Sequence, residues 1–94
     1  MSLYEQVKAI PQEQGYHVHG IIELVYGHRS EVIKRSINVS IQGQDARALA
    51  SAETEQAIAE MIANVYFQLD IDEAEPPFVI HSLDHWNVVI EPCR

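Results

Sequence analysis

Two histidines, His17 and His19, stand one residue apart in the segment "YHVHGIIELVY". If that segment is extended, both imidazoles leave the same face about 7 Å apart, a spacing that can hold one transition-metal ion. Such a site needs a third protein ligand, and Glu23, four residues beyond His19, is too far along a strand to supply it. Two solvated histidines on a polar sheet face are the simpler reading. His17 and His19 are kept as the alternative, a metal or small-molecule site.

A second group, His81, Asp84 and His85, lies in "HSLDHW". An aspartate beside a histidine aids catalysis only when it orients the imidazole toward a nucleophile, and Ser82 leaves the opposite strand face from His81. His81 is therefore read as a mid-strand core residue and Asp84-His85 as a turn. No nucleophile elbow or oxyanion-hole sequence accompanies them. The run "DIDEAE" lacks the glycine and closing glutamate of a calcium loop and meets Pro76 and Pro77 instead. Gly15, Gly20, Gly27 and Gly43 are too scattered to cradle a phosphate. These residues predict a protein that is not an enzyme and carries no cofactor.

Charge is distributed unevenly. The 94 residues sum to −8, yet residues 1–47 hold five acids and five bases, while residues 48–93 hold nine acids and neither Lys nor Arg. A one-signed field of this kind repels nucleic acid and draws basic surfaces inward. Its densest part is "LDIDEAEPP", where Asp70, Asp72, Glu73 and Glu75 follow the C-terminal end of a predicted helix, the end that disfavours negative charge. Together with Glu53 and Glu60 on the exposed face of that helix, they form a candidate partner-binding surface. The expected partner is a basic protein surface, as for an inhibitor or antitoxin-like protein; the competing reading is acidity for solubility alone.

Cys93 is the only cysteine, so no disulfide can form within the chain and no cysteine-based zinc cluster can be built. The first residues lack the charged and apolar regions of a signal peptide, and no apolar run nears the roughly 20 residues of a membrane helix. The expectation is a cytoplasmic protein without a membrane segment.

The elements that must position these side chains follow from periodicity. In residues 16–26 the apolar residues fall at every second place, and in "EVIKRSINVSIQ" Ile33, Ile37, Val39 and Ile41 share one side, with "GHRS" as turn material between. The register that sets Leu24 against Ile33 and Val18 against Val39 gathers the apolar residues on one face and pairs Glu23 with Lys34 on the other. Arg35, opposite Ile22, is its one awkward residue. Residues 16–42 are thus a first hairpin.

Residues 46–69 read as one long helix, with Ile58, Met61, Ile62, Val65, Tyr66 and Leu69 in a stripe and Ser51 or Thr54 able to cap its start. Residues 78–91 read as a second hairpin turning at Asp84-His85, with both faces largely apolar. Residues 1–14 form an N-terminal segment with a possible short helix, ended by Pro11.

The sum is an α+β fold, (α)ββαββ: a single small domain over residues 1–94, with a four-stranded antiparallel sheet and one long helix packed on one face. One helix cannot cover two sheet faces, and Ile21, Val25 and Val32 lie on the second. Either the N-terminal segment packs there, or a second copy or a partner does, and the expectation is a homodimer built on that face.

Overall fold

The computed structural model describes residues 2–26, 31–69 and 78–93. In chain order the elements are α1 (Leu3–Lys8), β1 (Tyr16–Tyr26), β2 (Val32–Ile41), α2 (Gly43–Ser51), α3 (Glu55–Leu69), β3 (Phe78–Ile80) and β4 (Asn87–Pro92), with short 3-10 turns at Gln12–Gln14 and Leu83–His85. The α+β class and the four antiparallel strands are as the patterning predicts, but the described residues hold three helices.

β1 and β2 pair in the register that burial demands: Leu24 opposite Ile33, Val18 opposite Val39, Tyr16 opposite Ile41 and Glu23 opposite Lys34. A slip of one residue would turn Val18, Ile22 and Leu24, all essentially inaccessible to solvent, out of the core.

The second hairpin does not form. β3 pairs antiparallel with β1 through Leu24–Ile80 and Val25–Val79, and β4 pairs antiparallel with β1 from Ile21–Asn87 to Tyr16–Pro92. β2 occupies the other edge of β1, so β3 and β4 run in the same direction along one edge, as a single strand interrupted. Between the Leu24–Ile80 and Ile21–Asn87 pairs, Ile22 and Glu23 face six residues, 81–86. The excess is taken up by the 3-10 turn Leu83–His85, so Asp84-His85 bends the chain without reversing it.

The long helix is likewise divided. Ala52 is extended (ψ 134°), and Thr54 Oγ1 accepts the Ala57 N–H at 3.1 Å. A threonine that satisfies an N-terminal amide in this way starts a new helix. α2 buries Ala46 and Leu49, and α3 buries Ile58, Ala59, Ile62, Ala63 and Tyr66. Met61 and Val65 lie only part-buried at the margin of that stripe. Each fully buried isoleucine contributes about 1.5–3 kcal/mol before entropy is counted.

α1 packs against α2, α3 and β4, with Leu3 and Val7 buried. Ser2 caps it by accepting the Glu5 N–H, and Glu55 accepts the Leu3 N–H. Gln6 extends its amide to the free edge of β4, donating to the Val88 carbonyl at 3.4 Å and accepting from the Ile90 N–H at 2.8 Å. That amide substitutes for a further strand on an edge that would otherwise expose unpaired backbone groups. All three helices are thus gathered on one face of the sheet. Among the described residues no helix covers the other, and no helix is long and apolar enough to cross a membrane.

Candidate metal-binding sheet face

Alternation along β1 sends Tyr16, Val18, Ile22 and Leu24 into the core and His17, His19, Ile21, Glu23 and Val25 to the uncovered face. The registers then fix their neighbours. His17 lies between Ser40 and Glu91, His19 between Asn38 and Val89, Ile21 between Ser36 and Asn87, and Val25 between Val32 and Val79.

Glu91 supplies the third candidate ligand group that the first hairpin alone does not provide. The ligand atoms of His17, His19 and Glu91 all lie within 4.8 Å of one another, with His19 Nε2 and Glu91 Oε2 at 3.5 Å. An ion bonded tetrahedrally at about 2.0–2.1 Å holds its ligand atoms about 3.4 Å apart, so the spacing suits zinc or a similar cation. Asn38 Oδ1 lies 2.6 Å from His17 Nε2. In the tautomer with its proton on Nε2, the ring donates to that carbonyl oxygen and Nδ1 keeps the lone pair. Metal-ligating histidines are commonly oriented by such a contact. The two rings sit 5.2 Å apart, centroid to centroid.

Glu91 carries a signal in the sequence that becomes readable only with the strand order. In "NVVIE", alternation puts Val88 and Ile90 on one face and Glu91 on the other; pairing β4 with β1 makes that other face the histidine face.

A second cluster lies four residues further along β1. Glu23 is 6% exposed, the one buried charged residue of the described chain, and it collects Lys34, His81 and His85. Its Oε1 lies 3.5 Å from Lys34 Nζ, while Oε2 lies 3.2 Å from His81 Nδ1 and 3.0 Å from His85 Nδ1. Burial alone pushes this carboxyl up; the hydrogen bond from His81, the charge of His85 and the hydrogen bond and charge of Lys34 outweigh it and hold Glu23 below the ordinary carboxylate value. The Glu23 carbonyl also accepts from the His81 N–H at 3.3 Å and from Trp86 Nε1 at 3.1 Å, which ties both ends of the strand interruption to one residue.

His81 is therefore not a core residue. In a continuous hairpin it would face Val88 inside; in the interrupted edge it is exposed and turned to Glu23. Gly20 marks a close approach by backbone: a Cβ there would meet the Asn87 carbonyl oxygen at 2.0 Å.

The acidic candidates fare differently. Glu53 and Glu60 are exposed. Asp70, Asp72, Glu73 and Glu75 lie outside the described residues, so the face they would form is not placed. Of the expected oligomer face, Ile21 and Val32 are exposed and Val25 is half-buried between Val32 and Val79. No protein-family profile, curated protein or solved structure matches this chain.

Proposed function

We propose that this protein is a binding domain for a divalent transition-metal ion, held on the uncovered sheet face by His17, His19 and Glu91. The observation that carries this reading is the convergence of two imidazoles and one carboxylate, from two strands, within 4.8 Å. Imidazole and carboxylate together suit zinc, nickel, cobalt or copper, and three protein ligands leave a coordination position for water or a small molecule. Calorimetric titration with zinc or nickel tests it. The His17→Ala/His19→Ala variant is expected to bind one fewer ion per chain than the wild type, and Glu91→Gln to weaken that site by about tenfold or more. Equal stoichiometry in the wild type and the double variant would contradict the reading.

The charge imbalance supports a second reading, in which acids of the C-terminal half engage a basic protein surface. Its observation is nine acids and no Lys or Arg over residues 48–93. If Asp70, Asp72, Glu73 and Glu75 contribute, their joint reversal to lysine abolishes capture of a basic partner at low salt; binding with unchanged salt dependence would remove those four from the surface.

A second copy of the chain is the occupant we propose for the open sheet face. Ile21, Val32, Val79 and Val89 are 42–55% exposed there. Against them the described formal charges on that face are Glu23, Glu91 and Lys34, close to balance, whereas the chain as a whole carries −8. Two copies approaching through this face meet less self-repulsion than the net charge of the whole chain would impose. Sedimentation is expected to show a dimer that Val32→Asp converts to monomer; a dimer unaffected by that change would exclude the face.

A further inference from the structure

We infer that Glu23, His81 and His85 form a second transition-metal site, built by the interruption between β3 and β4. The three ligand atoms lie within 4.8 Å of one another, and both imidazoles direct Nδ1 at the same carboxylate oxygen, at 3.2 and 3.0 Å. Those separations are close to the ligand–ligand edge of about 3.4 Å around a tetrahedral zinc-type ion. His19 and Glu23 are four residues apart on an extended strand, about 13 Å, so one ion cannot serve both clusters.

A charge cluster that merely neutralises a buried carboxylate does not account for the arrangement. Lys34 already faces Oε1, and one imidazole would satisfy Oε2; the chain brings two, stacked with centroids 5.8 Å apart. The turn that delivers them is anchored on the same residue, since the Glu23 carbonyl takes the His81 and Trp86 N–H groups. A buried, backbone-anchored carboxylate is a preorganised ligand, and the exposed imidazoles leave the remaining positions open to solvent and a route for the ion. The ion class is again zinc, cobalt or nickel. Lys34 opposes it electrostatically, which supplies a test that a purely structural cluster would not pass.

The experiment uses the full chain with the first cluster removed. His17→Ala/His19→Ala is titrated with Co2+, followed by calorimetry and by the visible absorption of the bound ion. One ion per chain is expected, and adding His81→Gln/His85→Gln should weaken binding by at least about tenfold. In the same first-cluster background Lys34→Met should tighten binding severalfold. No bound Co2+ in His17→Ala/His19→Ala, or an affinity indifferent to His81, His85 and Lys34, overturns the site. The separate variant His81→Gln/His85→Gln, with His17 and His19 intact, reports on the first cluster alone, so failure of either site is seen independently.

Discussion

At Gly20, β1 and β4 come so close that no side chain fits: φ is 144°, and an added Cβ would lie 2.8 Å from the Val88 Cα as well as meeting the Asn87 oxygen. Both obstacles are backbone, which cannot swing aside as a side chain can. Gly20→Ala should therefore cost about 2–4 kcal/mol, through strain and forced separation of the strands, measurable as a lowered denaturation midpoint at unchanged slope. It should also weaken the His17 cluster, because Glu91 reaches the histidines only through the β1–β4 pairing. A variant as stable as the wild type would mean that the edge can shift without loss. Glu23 is the other residue whose environment is specific. A buried carboxylate costs several kcal/mol unless it is paired and hydrogen-bonded, and here three basic side chains gather on it.

Elements show where sequence reasoning reaches and where it stops. The first hairpin was legible because every term agrees: alternation, cross-strand charge and turn residues all select one register. Its partner across the other edge was not. "FVIHSLDHWNVVIE" has apolar residues on both faces, so alternation cannot distinguish two strands facing each other from two segments facing a third. The interruption is marked by the His81 N–H and Trp86 Nε1 donating to the Glu23 carbonyl, which is not a periodic signal. The division of the long helix was half legible. Thr54 was recognisable as a cap, but alanine and glutamate on both sides are strong helix formers that mask the break. Of the first proposed metal site, His17 and His19 were readable from their spacing, whereas Glu91 required the strand order; of the second, none of the three was readable as a candidate ligand.

For the whole molecule, the sheet divides the chain into two unlike sides. One is filled by three helices over a continuous core, with Gln6 sealing the β4 edge. The other carries both histidine clusters, separated by Ile21 and flanked by the Val25, Val32 and Val79 row. The thin core of a 94-residue chain makes that second side the natural place for further stabilisation, by an ion, by a second copy, or by both. The most direct measurement is NMR with substoichiometric Cu2+, a paramagnetic ion that imidazole binds strongly. Binding at His17, His19 and Glu91 broadens the imidazole signals of both histidines and the amides of Asn38 and Val89 ahead of those on the helical side. If these signals stay sharp while broadening appears elsewhere or nowhere, the metal site assigned to His17, His19 and Glu91 is wrong.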